Sequence, residues 1–462
     1  MTQATADTPS VSRQLSDRVE SMRFCDLPKN VIAMAKRLIT DQIGVQVRGT
    51  ALPNIQPTRQ LAEALAGRGE ATAVGSVRLL PVPQAAWVNG TLGHSAEYDD
   101  AHMLAWHTSS AVVPPSLAFA ERDGRGGPEL ITAVVAGVQA MGVLGSVAGS
   151  GMLTTGWHGS KVLGVFGAAA ASGHLLGLNS GELTNAFGIA GSDAGGTMEY
   201  DRSGGEVKRL HAGSAARSGA EAALLAQLGL TGPSTIFEGG RGIFAMFGEA
   251  AEGTVPDAVA WDRWQILDTM FRFTPAIAAT HAPLDALRKL RHQHSFEPKD
   301  IAAIRVGLPG WAVGHGASIT RPADAISAQF SLAWGIALQL ATGDNRPEDY
   351  FRQELWAAPE LLAIADLVEA TPMDIPERDP GLSARLEVTL RDGTRLESYQ
   401  PGFHGHATWP ASDAEIAAKF RANLDGVIRA RVADALLRLL GSLEDLQDVR
   451  ELTALLRPDG ER

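Results

Sequence analysis

The chain has 462 residues, 45% hydrophobic and 20% charged, a composition that excludes disordered, collagenous and membrane-channel proteins and is long enough for about two or three domains. Its formal net charge is -12 and no segment clusters Lys and Arg, so a nucleic-acid partner is excluded and an anionic ligand would need a local basic pocket. The single cysteine, Cys25, excludes a disulfide framework, a cysteine-based zinc site and a self-ligated iron-sulfur cluster, which fits a reducing, cytoplasmic setting.

Residues 1–10 are polar, lack the basic and apolar regions of a secretory signal, and read as a disordered tail. Pro28 opens a helix in which Val31, Ile32, Ala35, Leu38, Ile39 and Ile43 recur at helical spacing before Gly49 and Pro53 end it. Ala-rich helical patterns follow over 84–98, 129–147, 160–176, 180–190 and 211–228. The uncharged stretches 131–150 and 162–179 reach membrane-spanning length, but Gly, Ala and Ser dilute them and no aromatic and basic anchors flank them; they read as buried helices, with no membrane partner. After about residue 270 strand-like alternation begins: 301–308 is one strand, and 384–399 is a hairpin about Asp392-Gly393. Helical pattern returns over 413–440. The expected fold is mainly α: a large all-α domain formed by both chain ends, 1–269 and 403–462, with a smaller α+β lid domain inserted at 270–402.

Polar chemistry concentrates in two places. Residues 89–110, NGTLGHSAEYDDAHMLAWHTSS, place His94, Glu97, Asp99, Asp100, His102 and His107 among Trp87, Val88, Met103, Leu104 and Trp106, an apolar setting unlike a solvated surface. The spacing predicts His94 and Glu97 on one helical face. Imidazoles beside carboxylates suit acid/base catalysis; a mononuclear metal site is chemically reasonable too, but no second ligand pair such as HExxH supports it. Residues 195–219, GGTMEYDRSGGEVKRLHAGSAARSG, hold Lys208, one of only seven lysines, after a Gly-Gly turn and before a small-residue helix. With Arg209 and His211 nearby, such a cation suits a carboxylate. His158 precedes a third Ala/Gly-rich helix.

The runs NGTLGHSAEYDDAH with His107 following, GWHGSKVLGVFGAAAASGHLLGL, VKRLHAGSAARSGAEAALLAQLGLTGP, IFEGGRGIFAMF and AQFSLAWGIAL resemble the MmgE/PrpD family, which includes 2-methylcitrate dehydratase, cis-aconitate decarboxylase and iminodisuccinate epimerase. The resemblance implies a helical domain with a lid, a homodimer, no metal, and an active site between the domains. His107, His158 and Lys208 match positions associated with the active site in the decarboxylase branch. Glu97 stands where that branch has Asp, Ala101 where it has Thr, Thr108 where Pro is usual, Arg272 where Lys is expected and Trp334 where Tyr is expected. These departures leave a dehydratase or an epimerase open.

The family's reactions all act at a carbon next to a carboxylate, where proton removal creates a dianion that needs a base, fixed cations and an acid. The implied roles are His107 and His158 as base and acid, Glu97 or Asp99 as the group that orients one of them, and Lys208 with Arg272 as carboxylate clamps; Arg209, His102 and Trp334 complete the expected substrate contacts. The expected activity is a cofactor-independent lyase for a small di- or tricarboxylate, a 2-methylcitrate dehydratase-like hydro-lyase first. An iminodisuccinate epimerase-like isomerase comes second, and a non-catalytic carboxylate-binding protein is the alternative of another class.

Overall fold

In the computed structural model the described residues are 9–458, apart from positions 262, 316–318, 377, 378 and 380. The tail expected over 1–10 thus falls almost wholly outside the described residues. The fold is mainly α. Its larger core draws on helices from 11 to about 271 and again on residues 411–456, so both ends of the chain share one apolar interior. Lys29–Thr50 packs against Asp413–Leu424, and the contact includes a buried ion pair between Asp41 and Lys419 at 2.7 Å.

Local chemistry explains the helix boundaries. Asn179 and Glu182 cap Ser180–Ala190 reciprocally, each side chain accepting from the other's backbone N–H. Gly127–Thr155 is long and apolar enough to cross a membrane, but 89% of its most apolar window is buried inside the fold, the situation of a core helix. Two expected helices are interrupted. The pattern over 160–176 divides into Gly159–Val162 and Gly164–Leu176, and that over 413–440 into Asp413–Leu424 and Ala430–Gly441, with Gly426 at φ +71° in the break.

The helices Val82–His94 and Val207–Gln227 cross where Gly90 meets Gly213: a Cβ on Gly90 would lie 2.7 Å from the Gly213 Cα, and one on Gly213 would lie 2.4 Å from the Trp87 carbonyl oxygen. Only glycine permits this approach, which brings the C-terminus of the first helix beside the N-terminus of the second.

A second core lies mostly within residues 270–403. Here Ile301–Leu308 sits at the centre of a four-stranded sheet, parallel to Val368–Pro372 on one side and antiparallel to Ala384–Leu390 on the other, with Arg395–Gln400 outermost. The last two strands pair Thr389 with Arg395 about the Asp392-Gly393 turn, where Gly393 takes φ +90°. Val368–Pro372 carries no alternation to announce it: its burial is mixed, and pairing with its neighbour makes it a strand. Ala101 pairs with Met270 through two 2.8 Å backbone hydrogen bonds, which ties the loop after His94 to the start of this second region.

Candidate functional site

The site is built on the loop between Val82–His94 and Ser109–Asp123. The first helix stops at His94, so Glu97 does not continue a helical face as its spacing predicts. Glu97 instead takes φ +54°, and ion pairs across the fold set its direction. Its two carboxylate oxygens go to different cations: one receives the Lys208 ammonium, and the other lies 2.7 Å from Arg272 Nη1. The Arg209 guanidinium lies 3.6 Å away. Burial alone would raise the Glu97 pKa, but Lys208 and Arg272 outweigh it and hold the carboxyl well below the usual range.

The neighbouring acids have separate duties. Asp99 accepts from His94 Nδ1 at 2.9 Å and from the Arg272 guanidinium, whose Nε also donates to the Asp99 carbonyl at 2.5 Å. Asp100 points the other way and caps Ser109–Asp123, receiving the N–H and hydroxyl of Thr108 at 3.0 and 2.6 Å and those of Ser109 at 2.9 and 2.6 Å.

His107 lies at the far end of the loop. Its Nδ1 is 2.8 Å from the Asp100 carbonyl oxygen, which can only accept, and 3.2 Å from Arg272 Nη2, which can only donate; the shorter contact, to the carbonyl, assigns the proton to Nδ1 and leaves Nε2 its lone pair. Nε2 is 3.7 Å from Glu97 Oε1. Burial holds the imidazole neutral; Asp99 opposes this, while Arg272 and Lys208 add to it. His94 is neutral for the same first reason and bridges Asp99 to Lys208, whose Nζ is 3.3 Å from its Nε2.

His158 enters from the start of Gly159–Val162. Its Nδ1 faces His211 Nδ1 at 3.0 Å, and its buried Nε2 has no hydrogen-bond partner among the described residues. Lys208 is on the first turn of its helix rather than in the turn before it, and is 2% exposed. Burial lowers its pKa to about 8 against the attraction of Glu97.

These side chains line a cavity of about 320 Å³. Glu97, His107, His158, Lys208 and Arg272 all face it, and the core residues that enclose it, among them Ala101, Tyr200, Met270, Ile277, Phe330 and Leu382, belong to the second core. Asp99 braces it from behind. His102 lines the wall, but both its ring nitrogens serve the backbone, Nε2 toward the Gln265 carbonyl at 2.9 Å and Nδ1 toward the Leu104 and Ala105 N–H groups. Arg209 is directed to Gln329 and Glu206. Trp334 is not brought to the cavity: it is fully buried in a satellite core, its ring 5.3 Å from Tyr350, because the apolar helix Leu332–Thr342 turns that position inward.

Sequence reading missed Tyr200, Phe330, Trp311 and Leu382 as cavity-lining residues. Tyr200 stands inside a motif already singled out, and its ring lies 5.7 Å from that of His158. The ligand atoms of His94, His107 and His158 fall within 4.8 Å of one another, a grouping that could hold a metal ion. The Lys208 ammonium at His94 Nε2 opposes a second cation there.

A mainly α fold that gathers neutral imidazoles and fixed cations around one cavity is suited to a carboxylic acid and to moving a proton on it. The MmgE/PrpD N-terminal domain matches residues 13–254 and the MmgE/PrpD C-terminal domain matches residues 275–445. The chain belongs to the MmgE/PrpD family. It is 28% identical to the cis-aconitate decarboxylase of Homo sapiens over 465 residues, covering 97% of this chain and 95% of the relative. It is 29% identical to the cis-aconitate decarboxylase-like protein oryM of Aspergillus oryzae over 484 residues, covering 98% of each. It is 27% identical to the cis-aconitate decarboxylase of Aspergillus terreus over 492 residues, covering 99% of this chain and 98% of the relative. These relatives carry decarboxylase names, whereas the sequence departures had left a dehydratase or an epimerase open and a dehydratase was expected first.

Proposed function

We propose that the protein is a cofactor-independent lyase that transfers a proton at a carbon next to a substrate carboxylate. The observation that carries this reading is the neutral His107 Nε2 facing the same cavity as the Lys208 and Arg272 cations. A carboxylate on those cations sets its neighbouring carbon before the imidazole. When the C–H proton passes to Nε2, the bond electrons enter the carboxylate and form a dianion that the two cations stabilise. His158, with its free Nε2, is the second proton carrier.

The relatives' names favour loss of CO2: the electrons of the C–COO bond move into the carbon skeleton, CO2 departs, and the carbon takes a proton that His158 Nε2 has accepted from solvent. Loss of water from a 2-methylcitrate-like acid is the second reading, favoured by Glu97 and Ala101 at positions where the decarboxylase branch has Asp and Thr. Closure of residues 270–402 over the cavity as a lid belongs to the same proposal.

The test is incubation of the purified protein in deuterated water with cis-aconitate, 2-methylcitrate and aspartate-derived dicarboxylates, followed by NMR. Deuterium entering next to a carboxylate, with CO2 or water released, supports the lyase. Exchange with inversion and no loss would make the protein an epimerase. No exchange and no product from any acid would overturn the reading in favour of a binding protein.

A further inference from the structure

We propose that His211 is the second member of a two-imidazole relay: a positioning residue that exchanges a hydrogen with His158 Nδ1 and so sets whether His158 meets the substrate as acid or as base. This rests on the proton-transfer reading above and supplies the route by which its second proton carrier is recharged.

The first argument is geometry. His158 Nδ1 and His211 Nδ1 are 3.0 Å apart; two bare nitrogens repel at that distance and two N–H groups clash, so one hydrogen lies between them. If His158 holds it, His158 Nε2 is bare and the residue is a base in the cavity. If His211 holds it, His158 carries its own hydrogen on Nε2 and is an acid there. Both rings are fixed from the backbone. The His158 N–H donates to the Gly196 carbonyl at 2.8 Å, and His211 follows Lys208 by one turn on Val207–Gln227. Gly196, at φ +100°, closes over the pair: a Cβ there would lie 3.3 Å from His211 Cε1 and 3.0 Å from Lys161 Cγ.

The second argument is charge. His158 is fully buried, and burial holds it neutral, with Lys208, His211, His94 and His107 adding to the effect. A neutral imidazole that gives its Nε2 hydrogen to carbon is left an anion unless Nδ1 takes a hydrogen in the same step. His211 can supply it. Its own pKa is lowered to about 3 by burial and by His94, Lys208 and Lys161, so it too is neutral. It stands behind His158, apart from the residues lining the cavity, and keeps 7% exposure, so solvent outside the cavity can return the proton to its Nε2. In decarboxylation the step balances: CO2 leaves its electron pair on carbon, carbon takes the His158 Nε2 hydrogen, His158 Nδ1 takes the His211 Nδ1 hydrogen, and His211 Nε2 takes a proton from solvent. After product leaves the sequence reverses: His158 Nε2 accepts a proton from solvent, and His211 Nε2 releases one.

The experiment uses the whole protein with cis-aconitate and 2-methylcitrate. His211→Asn keeps a hydrogen-bonding group opposite His158 Nδ1 but cannot pass a hydrogen on, so kcat is expected to fall about 10²-fold with KM unchanged. His211→Ala leaves a ring-sized gap. Imidazole in solution should restore its turnover, and 1-methylimidazole, with one nitrogen blocked, should not; a ring needed only for packing would be replaced by either. Nitrogen-15 NMR of histidine-labelled wild type, which needs no turnover, should show one of the two Nδ1 atoms protonated and the other bare. With the wild type active, a folded His211→Asn of near-normal kcat, equal rescue by 1-methylimidazole, or two bare Nδ1 atoms would overturn this proposal and leave the lyase reading standing. No turnover by the wild type of any acid in the exchange test would overturn the lyase reading and the relay with it.

Discussion

Lys208 is where the electrostatic account of the site is most exposed to test. Its ammonium faces Glu97, His94 and the cavity, and burial brings its pKa down to about 8. A group titrating there is about nine-tenths charged at pH 7 and about one-tenth charged at pH 9. If that charge holds the substrate carboxylate, kcat/KM falls about tenfold over this interval, with the alkaline limb centred near 8. Lys208→Arg keeps its charge throughout, so the limb disappears even where the rate at pH 7 is reduced. Lys208→Met keeps most of the stem and removes the charge; loss of one preorganised donor costs about 10²–10³ in rate. Circular dichroism and dimer or monomer size would establish that both variants fold, and rates from about pH 6 to about pH 10 would give the profiles. An alkaline limb unchanged in Lys208→Arg, or near-normal kcat/KM in folded Lys208→Met, would refute the reasoning.

Further outcomes follow from other groups. His107→Ala should lose about 10²–10⁴ in kcat while KM changes little, measured on whichever acid exchanges deuterium. Chelation should leave turnover intact; a stoichiometric ion whose removal abolishes it would reassign His94, His107 and His158 as ligands. Burial keeps His94, His107, His158, His211 and His281 neutral, the last two titrating at about 3, so their folded pKa values lie below the unfolded one. Their contribution is present above about pH 6.5 and is lost as pH falls toward those folded values, so the melting temperature should drop between pH 7 and pH 5; a flat profile would refute it. Lys419→Met leaves Asp41 buried without its cation and should destabilise the fold by about 3–5 kcal/mol in denaturant titration.

Local pattern carried much of this architecture, and tertiary contact decided the rest. The hairpin was readable because alternation and the Asp392-Gly393 turn agree on one register. Glu97 and His107 were readable because polar groups stood among apolar neighbours, and His158 and Lys208 because they follow glycine-containing turns at the start of small-residue helices. The end of the helix at His94 was not: residues 95–98 suit a helix locally, and it is the pull of cations from residues 208 and 272 that places Glu97 elsewhere. Trp334 looked like a substrate contact by position in a motif, yet its helix is apolar on every side, so burial was the stronger signal. Trp311, Phe330 and Leu382 carry no local mark at all, because an apolar wall becomes a binding surface only through what it faces.

Glu97 shows how the loop converts proximity in sequence into distinct chemistry. A non-glycine residue in the left-handed region is disfavoured by about 1–2 kcal/mol, and Trp106, at φ +65° in the same loop, is disfavoured likewise. Both persist because the loop is fastened at several points: Asp100 to the next helix, Ala101 to Met270, His102 to Gln265, and His107 to the Asp100 carbonyl. The fastening places Glu97 between Lys208 and Arg272, and the Arg272 guanidinium also meets Asp99, so both acids are buried against positive charge. With Glu97 there, Lys208 and Arg272 can be buried side by side without mutual repulsion dominating, and each still reaches the cavity. Strain at Glu97 is thus the local consequence of placing two fixed cations beside neutral imidazoles in an apolar setting, the arrangement on which carboxylate binding and proton transfer both depend.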